Sequence, residues 1–584
     1  MTSKSWVNTS STRLRRTALV VLAMAGLLLT GCVRVPTSGP VQFATATPNS
    51  SQQLPVLVFP AGPPPDATPE EVAKGFLDAM ASYQPGYVVA RQFLTDRAAD
   101  AWVTRVVDVY DTAADNTLRV NGSTVQMSSR SVGSIGSTGV WTPAKVGADF
   151  TATFPMVQVN GQWRIDQAPR HVLMSSFDFQ REYLPLRLFY FDATSTKLIA
   201  DPRYLPVRGI EGALLSRLAA GPSAWLAPVV RTAFPGGART VPPTVQILGD
   251  LAQVKMSDER VSSLDESQKR SLVAQIASTL AQIGVLRVQI LVGASAAPLT
   301  SSTLPPDGIV DANLFAADLR PSSSGVDALY AFVGGRLKPI RPPDSTAASR
   351  RLARLPGRTC VVSPSGDRIA MVSATGTSVH LADESTTTTL GSRAGAAGDF
   401  ARPSFDPTDD LWLVDRATRQ EPVRVILPNG KSATVRAPGL VGRNVRALRV
   451  GPDGIRAAIL VEDRAGSRLI LARIERSGAD SDVIALAELK TLPLALDRVS
   501  AVGWQEADRL VVLAANGDAP LQPFQLRVDG SQVEGIASAP PAVTMTVMPD
   551  HPLVIGRSGG TLSAYDPAQG WLDLGRGTAP CYPS

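Results

Sequence analysis

Three cysteines and three histidines carry the widest chemistry in this 584-residue chain, and their spacing limits what that chemistry can be. His171, His380 and His551 lie far apart, with no cysteine or acidic partner at metal-ligand spacing. They assign no metal and read as surface or packing residues. His-Glu-x-x-His, Cys-x-x-Cys and Gly-x-Gly-x-x-Gly are absent. Gly430-Lys431-Ser432 resembles the end of a phosphate loop, but Val425 stands where the first glycine belongs and Asn429-Gly430 reads as a hairpin turn. The residues therefore point to no catalytic set, no metal and no cofactor.

Cys32 is different. It closes the apolar run Leu19–Gly31 and is preceded by Leu29, Thr30 and Gly31. Lys4, Arg13, Arg15 and Arg16 precede the run with no acidic residue among them, the layout of a secretory signal. At 1.5 Å per helical residue the run is too short to span about 30 Å of hydrocarbon. Leu29-Thr30-Gly31-Cys32 resembles the lipobox of bacterial lipoproteins. The resemblance implies cleavage between Gly31 and Cys32, a diacylglyceryl group on the Cys32 thiol, and acylation of the new amine. Two or three chains anchor stably, since each buried methylene contributes about 0.8 kcal/mol and one chain alone is marginal. The expected location is the outer face of a cell membrane.

Residues 1–31 hold four of the six formal positive charges in excess, so the mature chain is left near +2. Signs are interspersed, which argues against a nucleic-acid partner. With 47 glycines, 46 prolines and only 18% charged residues, a turn-rich, largely β exported protein is expected. Its length suits three or four domains of about 150 residues.

Residues 32–65 are rich in Pro, Ser, Thr, Gly and Gln and read as a tether, within which Leu54–Phe59 could dock as a strand. Over 66–170, Thr68-Pro69-Glu70-Glu71 starts a helix with Val72, Phe76, Leu77 and Met80 on one face, and Phe93, Leu94, Trp102, Val103 and Val106 continue a helical pattern. From Thr117 the period moves towards two, with Asn121-Gly122 and Asn160-Gly161 as hairpin turns. Helices followed by a curved antiparallel sheet resemble an NTF2-like α+β cone, with Trp163 in its core.

Residues 184–297 read as β-α-β-β-α-β. The strand Leu186–Phe191 precedes a helix through Ile210, Ala213, Leu214 and Leu218; a hairpin turns at Gly249-Asp250; and a capping box at Ser263-Leu-Asp-Glu266 starts a helix burying Leu272, Ile276, Leu280 and Ile283. This order, with Gly221-Pro222-Ser223 and Phe234-Pro235-Gly236-Gly237, resembles the GerMN domain of exported bacterial proteins.

Residues 308–584 carry an internal repeat. Segments starting at Ser363, Phe405, Gly451, Trp504 and Met548 are spaced 42, 46, 53 and 44 residues apart, each a polar turn followed by an apolar strand. That period predicts a β-propeller of five or six blades, the sixth a composite in which Ala328–Val333 pairs with the last strands to close the ring. Once lipid occupies Cys32, Cys360 and Cys581 remain in an oxidising compartment and form the candidate disulfide.

Lipobox, cone, GerMN domain and propeller, in this order and with Arg91-Gln-Phe-Leu-Thr95, Asp307-Gly-Ile-Val-Asp311 and Tyr582-Pro583, resemble the LpqB family of actinobacterial lipoproteins. The fold class is thus multidomain, α+β followed by an all-β propeller. The resemblance implies a non-enzymatic accessory partner, on the extracytoplasmic face, of the extracellular domain of a sensor histidine kinase like MtrB of the MtrAB two-component system. The alternative is a cell-wall glycan-binding or hydrolytic envelope protein acting through the propeller channel.

Overall fold

The computed structural model describes residues 60–583 except 113–116, 237–241, 258, 316–318, 320–325, 343, 394–396, 465 and 479–481. Gly31, Cys32, most of the tether and Leu54–Phe59 lie outside the described residues.

The first domain begins where its caps dictate. Thr68 Oγ1 accepts from Glu71 N at 3.3 Å and the Glu71 carboxylate accepts from Thr68 N at 2.8 Å, closing a capping box on helix Pro69–Met80. Val72, Phe76 and Met80 are buried against a curved sheet. Its path runs Gln162–Ile165, Asp149–Val159, Thr124–Ile135, Val107–Tyr110 and Val172–Ser175, antiparallel except for the last pair. The second apolar stretch is not one helix. Helix Val88–Arg91 stops because Phe93 and Thr95 exchange backbone hydrogen bonds with Ile165 at 2.9 Å, and Thr95 then caps a separate helix, Asp96–Ala101. Phe93 and Trp102 still reach the core around Phe76, but Val103 is half exposed. Asn160 and Gly161 both take positive φ (52° and 77°), as a two-residue primed turn requires. The other hairpin turns one residue later than expected. Asn121 pairs with Thr124, leaving Gly122-Ser123 as the turn. Trp163 packs half-buried at the core's edge.

In the second domain two sheets and two helices, Ile210–Ala219 and Glu266–Leu280, share one core. The order differs from β-α-β-β-α-β: strand Leu198–Pro206 pairs antiparallel with Tyr183–Asp192 before the first helix. Its middle, Asp201-Pro202-Arg203, has the composition of a turn, yet Asp201 and Arg203 are buried as an ion pair and Asp201 also accepts from Ser223 N at 2.7 Å. The capping box of the second helix is Asp265 with Gln268 rather than Ser263 with Glu266, since the Ser263 hydroxyl donates to the Arg260 carbonyl one turn earlier. Strand Ile309–Asp311 pairs with Arg287–Gln289, and Phe315 joins this core. The ring therefore starts at about residue 328, not 308.

Six sheets follow, antiparallel except where Thr434–Arg436 runs parallel to the outer strand of blade four, and their innermost strands touch in a closed cycle. Blade one joins Leu329–Val333 and Arg336–Arg341 to the C-terminal strand Thr578–Cys581, so the two ends of the ring share a sheet. The inner strands of blades two to six are Gly357–Val362, Ser404–Phe405, Asn444–Val450, Arg498–Glu506 and Thr544–Thr546. Each of the five repeats is the turn leading from the inner to the second strand of a blade. Sheet edges that would template aggregation are short or covered.

The second domain is bolted to blades four and five. Arg187 donates to Asp508 at 2.7 and 2.9 Å and pairs with Glu506; Arg527 reaches the same Asp508 at 3.3 Å. Arg456, paired with Asp453, donates to the Ala200 carbonyl, Arg473 to the Trp225 carbonyl at 2.6 Å, and the Trp225 indole to the Glu488 carbonyl at 3.0 Å. Asp508 and Arg456 are 1% exposed. A buried carboxylate is tolerated only because guanidinium groups surround it. Burial pushes the Asp508 carboxyl up, but Arg187, Arg527 and Arg456 outweigh it and hold it below the ordinary range.

Candidate functional site

The ring encloses a cavity of about 170 Å³ at the end where the repeat turns meet. A proline from four of the repeats (Pro364, Pro407, Pro452 and Pro549) lines it, with Val502, Trp504, Met545 and Met548 supplying apolar wall. Two arginines enter this space. Arg402, ahead of the inner strand of blade three, reaches across the channel to blade six on the opposite side, donating to the Met545 carbonyl and Thr546 Oγ1, both at 2.9 Å. Arg449, on the inner strand of blade four, donates through Nη1 to the carbonyls of Arg402 (2.8 Å), Pro403 (3.2 Å) and Leu448 (2.8 Å). Burial pushes the Arg402 guanidinium down to about 10. Arg449 is driven well below the usual arginine range by burial and then by the charge of Arg402.

The acid that borders the channel is fully engaged. Asp406 accepts from Thr408 N, Thr408 Oγ1, Asp410 N and the Trp412 indole at 2.8–3.0 Å, and pairs with Arg476. Asp410 shares Arg476 at 2.8 Å, and its carboxyl is pushed up to about 6 by burial and by neighbouring Asp406. Asp406, with five donors around it, secures a turn and has no lone pair to spare for a substrate.

Cys360, on the inner strand of blade two, and Cys581, on the inner strand of blade one, are paired as a disulfide with Cα atoms 5.7 Å apart. The histidines stay separate. His171 Nδ1 meets Asp108 at 2.8 Å, His380 Nδ1 meets Thr389 Oγ1 at 3.0 Å, and His551 lies between the Pro549 carbonyl and Asp327. Among the described residues no three His, Cys, Asp or Glu side chains converge as for a metal, and no helix is long and apolar enough to cross a membrane. Lys431 sits in a tight turn closed by Leu427 N on its carbonyl at 2.8 Å, which cannot cradle phosphate. Gly556-Arg-Ser-Gly-Gly560 has the G-x-S-x-G spacing of a nucleophile elbow. It lies in a turn between antiparallel strands Val554–Gly556 and Thr561–Asp566, not between a strand and a helix, and so lacks the elbow's context.

Residues 62–180 match the family description "Lipoprotein LpqB, N-terminal domain", residues 187–294 "Sporulation and spore germination", and residues 328–583 "Lipoprotein LpqB beta-propeller domain". Lipoprotein LpqB of Streptomyces avermitilis is 30% identical, over 97% of this chain and 99% of that protein. The chain belongs to the LpqB family. Further LpqB lipoproteins, from Thermobifida fusca and Mycobacterium bovis, are each 27% identical over 97% and 95% of the chain and 99% and 97% of their own lengths. TolB from Acinetobacter baumannii overlaps 52% of the chain and 84% of its own at 13% identity, with a TM-score of 0.34.

Within this LpqB-family fold, sequence reasoning missed Arg402 and Arg449. The available signal was slight: Val445–Val450 holds two arginines, and only its place immediately before the repeat Gly451-Pro452 sets Arg449 apart from the exposed Arg446. Nothing local marks Arg402, whose partners lie about 140 residues away.

Proposed function

We propose that this protein is an envelope lipoprotein, anchored through lipid on Cys32 at the extracytoplasmic face, that binds the extracellular domain of an MtrB-like sensor histidine kinase and modulates its signalling without chemistry of its own. Membership of a lipoprotein family over nearly the whole chain supports the anchor. The observation that carries the non-enzymatic reading is the channel, where Asp406 is saturated by Thr408, Asp410, Trp412 and Arg476, so the acid pair a glycan hydrolase needs is not available there. A second domain bolted to the ring through Arg187, Arg456 and Asp508 suits a docking role, because a preordered surface loses little conformational entropy on binding.

Two experiments test this. A Val33–Ser584 fragment, titrated against the kinase ectodomain beside a panel of peptidoglycan fragments, should bind the ectodomain without added metal or nucleotide. With the mature chain near neutral, salt should change that affinity only modestly. Micromolar affinity suffices, since a shared membrane raises effective concentration. Silence with the ectodomain at high micromolar concentration, together with glycan turnover, would transfer the function to the cell wall. Separately, Cys32→Ser should abolish acyl labelling and release the protein from the membrane fraction; retained label would refute the anchor.

A further inference from the structure

Arg402 and Arg449 bring two formal positive charges into an apolar channel, and every hydrogen bond they make there ends on a neutral oxygen. Arg402 Nε is buried with no partner at all. Arg449, 8% exposed, donates only through Nη1, which leaves its Nε and Nη2 without a hydrogen bond. The lining acid, Asp406, is held away by its own turn and by Arg476. Buried charge of one sign is costly unless an opposite charge meets it, and a guanidinium presents donors in the planar fork that suits a carboxylate or phosphate. Burial depresses the basicity of both arginines, and the charge of Arg402 adds to the effect at Arg449. Around them the wall is Val502, Trp504, Met545 and Met548, so an occupant needs an apolar body as well as an anionic head. A volume near 170 Å³ suits a molecule about the size of a substituted benzene.

We propose that the propeller channel is a binding site for a small organic oxyanion, a carboxylate or phosphate monoester on a short apolar body, held by Arg402 and Arg449. Such a site goes beyond kinase docking and would make the ring a receptor for a soluble metabolite.

The test is calorimetric titration of the mature protein with benzoate, phenyl phosphate, inorganic phosphate and benzyl alcohol, paired with thermal melts. At least one of the two aromatic anions should bind and raise Tm, inorganic phosphate should bind more weakly, and benzyl alcohol should do neither. Preference for benzoate or for phenyl phosphate identifies the head group. Arg449→Gln should weaken binding tenfold or more. Val502→Phe, which fills the channel and spares both arginines, should abolish it, and that variant keeps the test decisive if Arg449→Gln fails to fold. If neither aromatic anion binds at millimolar concentration, the arginines are struts between blades and the proposal is wrong. Unchanged affinity in Val502→Phe would place any binding outside the channel.

Discussion

Replacing Cys360 and Cys581 by alanine should lower stability by roughly 4–5 kcal/mol and bring the propeller's Tm down on the order of 10 °C. The bond joins the inner strands of blades one and two across a sequence separation of 221 residues, so its loss frees an unfolded chain that it had constrained through a very long loop. It also sits where the C-terminal strand Thr578–Cys581 enters blade one, and fraying there opens the whole ring. We propose that the bond is a latch on that seam. Calorimetry of the double variant, and of the native protein with and without reductant, reads the effect directly. Two free thiols in denatured, unreduced protein, or a melting point indifferent to reduction, would remove the latch.

The second large effect belongs to Asp508. Asp508→Ala should destabilise the junction of the second domain with the ring by about 3–5 kcal/mol, because it strands the buried guanidinium of Arg527 and leaves Arg187 only the half-exposed Glu506. Expected readouts are a separate low-temperature melting transition and new proteolytic cleavage between the domains. Acid should mimic the substitution. Since the folded-state pKa of Asp508 lies below its ordinary value, its contribution is fully present above the usual carboxylate pKa, about 4. That contribution is lost as pH falls below this, through the folded value. The variant should lack that part of the acid transition. A variant that melts in one step at the native temperature would show that the remaining contacts of Trp225, Arg456 and Arg473 suffice.

What could be read in the sequence was local. Thr68-Pro69-Glu70-Glu71 carries its own cap, Asn160-Gly161 its own turn, and the repeats their own period, because each depends on residues a few positions apart. Errors arose where a distant partner decides the conformation. Phe93–Thr95 leaves the helix because Ile165, some seventy residues on, claims its backbone groups. Strand Leu198–Pro206 went unread because the charges at its middle, Asp201 and Arg203, are accommodated only inside the fold, where Asp201 also accepts from Ser223 N. The channel arginines follow the same rule: Arg402 finds its acceptors on blade six and Arg449 most of its own beside blade three. The lipobox is the reverse case, a short linear signal that needs no fold to be recognised.

Blade one imposes an order in time. Its second strand, Leu329–Val333, precedes the other blades in the chain, while its innermost strand, Thr578–Cys581, follows them all. At about 5–20 residues per second the first waits on the order of ten to fifty seconds for the second. Through that interval one edge of blade one has no partner and the remaining blades can form only an open arc. A nascent chain of this protein therefore carries an unpaired β edge until Thr578–Cys581 has emerged, and through that interval the edge is open to pairing with other chains.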